Sequence, residues 1–276
     1  MENFIILSPE IFLATIVIVL QVIAVSTKIS SHAIIRAVIL LGILLITLIS
    51  CFNYKAVAFA NSFVIDKQII FFKGLIFAIS LMIIIIYHDF CKISKAPFQM
   101  EFTSLILLSV VGIFISISSR DLLLLFCGLE LSSIPAYALA AYGNNIKSSE
   151  AGLKYFILGS LMSCIMLFGF SYIYGYSGSI QFENIGQIVA QKSSLPIMIG
   201  LVMLVFTILF KLSAAPAHFW VPDVYEGSPI VSMAYFATCQ KLAALIILFN
   251  IINNLLINVP LLSMTIMKYS ALLSMI

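Results

Sequence analysis

The residues in this chain whose types and spacing could do chemistry are ionisable side chains set inside long apolar runs, and that chemistry is proton transfer. Glu130 stands in "DLLLLFCGLELSSIPAYALAAY", eight residues past Leu122. On a helix rising ~1.5 Å per residue, that is about 12 Å from the start and near mid-membrane. A charge at such depth costs about 2.5 to 3.5 kcal/mol on insertion scales, so it points to a function. Ser133 and Tyr137, at i+3 and i+7, share its face. Pro135 clashes with the Leu131 carbonyl and should kink the helix, leaving a backbone acceptor beside the carboxylate. Two explanations stay open for Glu130: a wet, kinked proton path, or a protonated acid hydrogen-bonded to a neighbouring helix.

Lys211 closes the run "IGLVMLVFTILF", with Thr207 one turn earlier and Pro216 freeing the Leu212 carbonyl. Broken membrane helices survive only when packed in protein or lining a watery cavity. The helix is therefore expected to be discontinuous over 211–217, with His218 starting a short helical piece. His218, seven residues past Lys211, can pass protons near neutral pH, or can be a hydrogen-bonded structural histidine. Lys241 lies about halfway along 229–252 with Thr238 nearby; it is too deep to snorkel, and its alternative is a structural ion pair with an acid on another span. Lys154 has Glu150 at i−4, so a modest surface ion pair explains both residues as well as a relay does. Lys154, Lys211 and Lys241 are expected to face the bundle interior, with Thr207 and Thr238 on the same side.

The elements that position these groups follow from composition. The chain has 276 residues, 63% hydrophobic and 9% charged, with a mean hydropathy of +1.19; so little charge leaves no surface for water. Apolar runs at 9–27, 33–52, 68–87, 101–118, 122–142, 150–175, 196–218 and 229–252, with a partial run at 259–276, are long enough to cross hydrocarbon. They lack the alternation of barrel strands, so the fold class is an all-α, polytopic transmembrane helix bundle of eight to nine spans. Ser8-Pro9-Glu10 and Ser228-Pro229 have the form of an N-cap followed by proline, and Asp66 and Asp121 can cap the third and fifth spans. The acidic start, Glu2 and Glu10, argues against a cleaved signal.

Five cysteines without a CxxC support neither a disulfide framework nor a metal or iron–sulfur site. The net charge of +3 says little about partners, and the lysine and arginine distribution favours an outside N-terminus by a narrow margin. The polar connectors "NYKAVAFANSFVID" and "YSGSIQFENIGQIVAQKSS" are too short to fold alone, and no phosphate loop or GxGxxG is present, so no nucleotide or redox centre is expected here. The last residues, "PLLSMTIMKYSALLSMI", are an apolar run without a polar flank, as if the chain were cut short.

The stretches "LLFCGLELSSIPAYALAAY", "SSEAGLKYFILGSLMSCIMLFGFSYIYG" and "FKLSAAPAHFWVPDVYEGSPIVSMAYFATCQK" resemble the subunit N family of bacterial respiratory complex I, the antiporter-like membrane subunits of NADH:quinone oxidoreductase. The resemblance covers nearly the whole chain, and "PAHFWVPDVYEGSP" is its most specific piece. It implies two inverted five-helix repeats, each with a lysine on a broken helix, of which this chain holds the first. The implied organisation is three leading helices over 1–100, a five-helix proton-translocating repeat over 101–256 and the start of a second repeat over 257–276. The resemblance also implies proton-transfer roles for Glu130, Lys154, Lys211, His218 and Lys241.

It further implies a multi-pass protein of the bacterial inner membrane, partnered by other complex I membrane subunits and the lipid bilayer, with no nucleic acid. No cofactor is expected on this chain, and the assembled complex would use NADH and quinone. The alternatives are an Mrp-type cation/proton antiporter subunit and a non-transporting membrane scaffold.

Overall fold

The computed structural model describes residues 6–26, 39, 42–43, 45, 56–94, 99–143, 145–191, 194–255 and 268. The apolar runs expected at 33–52 and 259–276, and the segment 257–276, lie almost wholly outside the described residues. Helix α1 is Ser8–Ser26. A hairpin of β1 (Ala56–Ala58) and β2 (Phe63–Ile65), paired antiparallel, leads into α2 (Lys67–Ser94). Next come α3 (Met100–Ser118), α4 (Leu122–Ala140) and α5 (Ile146–Ser177). A ten-residue helix α6 (Phe182–Gln191) precedes α7 (Leu195–Leu212). The seven-residue α8 (Val221–Gly227) is followed by α9 (Ile230–Asn254), whose turn at Phe236–Gln240 widens to π geometry.

Six of these helices, α2 to α5, α7 and α9, are long and apolar enough to cross a membrane. Their bounds follow the hydropathy of the runs, because an exposed backbone amide cannot be left bare in hydrocarbon. Two departures stand out. The seventh expected span ends at Leu212 rather than at residue 218, and both polar connectors carry local structure. In the first, three residues with positive φ, Phe59, Ala60 and Asn61, turn the hairpin. In the second, Phe182, Ile185, Gly186 and Val189 are buried while Glu183, Asn184 and Gln187 face outward, so α6 is an amphipathic helix lying on the bundle.

The capping assignments divide. Asp121 caps α4, its carboxylate accepting from the Leu124 N–H at 2.6 Å. Ser228 does not cap α9; it ends α8, its hydroxyl donating to the Val224 carbonyl at 2.6 Å. Asp66 instead pairs with Arg120 at 3.6 Å, and Glu10 points into the bundle.

The hairpin, the α3–α4 link and the α5–α6 link lie at one end of the molecule. Arg120 N–H donates to the Ser62 carbonyl at 2.8 Å, Phe182 N–H to the Arg120 carbonyl at 3.0 Å, and the Gln181 amide to the Ala60 carbonyl at 2.7 Å. A cavity of about 540 Å³ opens at this end beside Asp66, Arg120, Gln181 and Asn254. Burial there pulls the Arg120 guanidinium down from its ordinary value, with Asp66 opposing the shift.

Close helix approach is set by glycine. A Cβ on Gly112 of α3 would meet the Ser132 backbone nitrogen at 2.3 Å, and one on Gly128 of α4 the Ser116 nitrogen at 2.6 Å. In lipid such small-residue contacts supply the packing that hydrophobic exclusion cannot. Gly128→Val is expected to cost about 1–3 kcal/mol through overpacking. A lowered melting temperature of the detergent-purified protein would show this, and an unchanged one would mean that the α3–α4 contact can spread without cost.

Candidate functional site

The break in α7 is the feature around which the site is built. Leu212 is the last helical residue, and Ser213 turns left-handed at φ 62°. The Ser213 N–H donates to the Phe210 carbonyl and the Ala214 N–H to the Leu209 carbonyl, each at 3.0 Å, which closes the helix end in the manner of a C-cap. The interruption thus precedes Pro216, whose peptide bond is cis. The chain then runs through turns to α8, so the helix resumes at Val221 and not at His218. The Trp220 indole N–H donates to the Phe210 carbonyl at 3.2 Å, fastening the return to the broken end.

At this end Lys211 is half-buried, and its ammonium donates to the Ser133 hydroxyl at 2.6 Å. Ser133 is on α4, one turn from Glu130, so the two share a face. Ser133 Oγ in turn donates to the Leu129 carbonyl at 2.5 Å. Glu130 accepts from the Ser163 hydroxyl of α5 and lies within electrostatic reach of Lys211. Among the described residues the pair makes no ion contact within 4 Å; Lys211 is held by Ser133 and Glu130 by Ser163. Tyr137, one turn beyond Ser133, reaches Gly159 on α5, where a Cβ would stand 2.1 Å from the phenol oxygen. Gly159 is therefore what lets Tyr137 enter. Thr207 is buried one turn before Lys211 and donates to the Met203 carbonyl at 3.0 Å.

Aromatic rings join this cluster to the next lysine. Tyr137 meets Tyr155 edge-on at 4.8 Å, Tyr155 stacks on Trp220 at 4.8 Å, and Trp220 meets Tyr225 edge-on at 6.4 Å. The Lys241 ammonium lies 5.5 Å from the centre of the Tyr225 ring. No acid pairs with Lys241 among the described residues. Burial pushes the Tyr225 phenol up to about 12. The π turn immediately before Lys241 brings Gln240 to Ser109, where its amide donates to the hydroxyl at 2.9 Å. The Ser109 hydroxyl donates onward to the Ser132 carbonyl at 2.8 Å, beside Pro135. Single π turns of this kind recur where a helix carries a functional group.

The other expected residues lie differently. The Lys154 side chain is 43% exposed and does not point into the bundle; it pairs with Glu150 at 2.9 Å and with Asp223 of α8 at 2.7 Å. His218 is exposed in the turn after Pro216, and Thr238 is also exposed, its hydroxyl satisfied by the Ala234 carbonyl at 2.7 Å. Thr238 thus does not share the buried side of Thr207. Lys211 and Glu130 are brought together, Lys241 is connected to them through rings, and Lys154 and His218 stand apart on the surface of the described chain.

Several polar residues here leave no mark in the sequence. Ser163, Asp223 and Tyr225 carry no local signal, since a serine in an apolar helix and an acid or tyrosine in a loop are ordinary. A second, buried pair leaves no mark either: Lys73 of α2 is bonded to Glu10 of α1, with side chains only 2% and 3% exposed. The Phe63 and Phe114 rings stand 5.1 and 5.6 Å from the Lys73 ammonium.

Residues 119–276, which contain the broken helix and all five candidate residues, match the model of the NADH:quinone oxidoreductase/Mrp antiporter transmembrane family. The chain belongs to this family. Within the oxidoreductase/Mrp antiporter family it is 44% identical to NADH-quinone oxidoreductase subunit N of Rickettsia bellii, over 98% of this chain and 60% of the relative. The subunit N of Rickettsia prowazekii is 43% identical over 98% of this chain and 59% of that protein. The chain thus spans about 60% of the length of the curated relatives it matches.

Among solved structures it is similar to a chain of respiratory complex I from Thermus thermophilus with bound aureothin, with a TM-score of 0.73 and 29% identity over 87% of this chain and 52% of that one. The Mrp complex of Dietzia shares the fold, with a TM-score of 0.69 at 18% identity over 90% of this chain and 48% of that one. The antiporter-like helix bundle with a broken helix is accordingly the fold, and the protein is a multi-pass protein of the bacterial inner membrane.

Proposed function

We propose that this chain is a proton-translocating membrane subunit of an NADH:quinone oxidoreductase, in which protons pass through Glu130, Ser133 and Lys211 and onward past Tyr137 to Lys241, driven by electron transfer on other subunits. The observation that carries the proposal is the Lys211 ammonium, held at a helix break inside the membrane by a hydroxyl one turn from the Glu130 carboxylate. A broken helix exposes backbone groups that need water or protein partners, so it is a place where a hydrated path is tolerated. Buried opposite charges depend on one another, and a proton leaving one changes the affinity of the other for its own. The Ser133 hydroxyl accepts from Lys211 and donates to the Leu129 carbonyl, so to pass a proton toward Glu130 it must turn from that carbonyl to the carboxylate one turn away.

Lys154 and His218 belong to the same proposal as groups at the aqueous approach, since both face outward while Asp223 ties Lys154 to the helix after the break. The subdivision into three leading helices and a five-helix repeat is likewise part of the proposal. NADH and quinone act on other chains of the assembly, and no cofactor is assigned to this one.

The test uses inverted membrane vesicles carrying the assembled complex, with acidification read by a quenched dye on adding NADH. Proton uptake at the same rate with and without sodium is the expected result. Uptake that requires sodium would replace the proposal with cation/proton exchange, and NADH oxidation without any ion movement would remove it.

A further inference from the structure

Lys241 differs from the other candidate lysines in what faces it. Lys211 meets a hydroxyl near a carboxylate and Lys154 meets two carboxylates, whereas the Lys241 ammonium meets the face of Tyr225 at 5.5 Å. The ring is delivered by α8, which is fixed to α5 at two other points: Asp223 to Lys154 at 2.7 Å and Glu226 to Lys147 at 3.6 Å. Trp220 supports it at its edge. The Tyr225 hydroxyl is buried without a hydrogen-bond partner among the described residues, so the ring rather than the phenol oxygen is what Lys241 uses.

We propose that Tyr225 is a positioning residue for Lys241, holding its ammonium by a cation–π contact in place of an acidic partner. The inference rests on the proton-transfer role of Lys241 proposed above. A carboxylate in contact with a buried ammonium holds it strongly, because separating a buried pair leaves both charges uncompensated. A ring face attracts the cation with no charge of its own to be left behind. Lys241 can then give up and regain its proton without breaking an ion pair. Because α8 also bears Asp223, the element that seats Lys241 is the one tied to Lys154.

The experiment keeps the assembled complex and changes the ring electronically. Phenylalanine and its mono-, di- and trifluoro derivatives are placed at position 225 by stop-codon suppression, and NADH-driven proton uptake is measured beside Tyr225→Leu and Lys241→Ala. Tyr225→Phe should stay within about twofold of the wild-type rate, and Tyr225→Leu should lose about 3- to 30-fold, the range that cation–π attraction spans. Each added fluorine, which drains the ring face while hardly changing its size, should lower the rate further.

A flat fluorine series in complexes where Lys241→Ala stops uptake would overturn the inference and leave the relay intact. So would Tyr225→Phe falling as far as Tyr225→Leu, since the hydroxyl would then be the working group. Wild-type uptake in Lys241→Ala would instead remove Lys241 from the relay, and the positioning role of Tyr225 with it. If Tyr225→Leu does not assemble, the fluorine series still decides, because those rings preserve the packing.

Discussion

Lys211→Ala is expected to lower NADH-driven proton uptake about 100-fold, together with the NADH:quinone turnover tied to it. The magnitude is that of a lost proton-transfer group, for which about 10²- to 10⁴-fold is usual. Alanine leaves the Ser133 hydroxyl without its donor and the Glu130 carboxylate without the nearby ammonium. Glu130→Gln should act in the same direction while keeping its hydrogen bond from Ser163, since an amide oxygen still accepts. The double mutant should be no worse than the more damaging single one, because two breaks in one path do not add. Turnover and uptake are measured in vesicles, with assembly checked by native gel so that lost protein is not mistaken for lost function. Wild-type uptake in both single mutants, correctly assembled, would mean that Lys211 serves only to hold the end of α7.

The second large effect belongs to folding. Lys73→Met is expected to destabilise the protein by about 3–5 kcal/mol, the cost of leaving one charge of a buried pair uncompensated. The Glu10 carboxylate would lose its ammonium, and its second oxygen, Oε2, is already buried without a partner among the described residues. Glu10→Gln should cost less, since the Phe63 and Phe114 rings still face the ammonium. Glu10→Leu combined with Lys73→Met should recover most of the loss, because replacing both partners of a buried pair by apolar groups of similar volume is often neutral. Thermal melting in detergent checks the series. A Lys73→Met protein that melts with the wild type would show that water reaches the pair, and that α1 is held in the bundle by its apolar packing on α3 alone.

These two sites were unequally legible in the sequence. Glu130 lies well inside an apolar run, where no interface is near and the cost of charge is highest, so depth marked it; Lys211 closes its run just before a proline-containing polar segment, so the expected helix break marked it. Lys73 is the seventh residue of α2 and Glu10 the third of α1, close enough to helix ends for snorkelling or capping to be the ordinary explanation. Only the packing of α1 and α2 against α3, under the hairpin, turns the two toward each other. The same holds in reverse for Lys154, whose depth by count was ambiguous and whose partner Asp223 is 69 residues away.

By itself the sequence determined what depends on local hydropathy and local backbone chemistry: a membrane bundle of helices, their order and near bounds, and an interruption after Lys211. Length and apolarity decide spanning because hydrocarbon offers a bare amide no partner, and a polar, proline-containing segment cannot continue such a helix. What faces each charge was decided only by the tertiary structure. A lysine's partner can be a hydroxyl on α4, two carboxylates from two elements, or a ring on a seven-residue helix, according to how glycine contacts and the return of α8 set the helices against one another. Side chains that meet across tens of residues leave no periodicity to read, and the π turn before Lys241 changes the direction of that lysine without any breaker residue in "FATCQ". Helix content is thus a local property of this chain, while the charge environment that proton transfer depends on is a property of the assembled bundle.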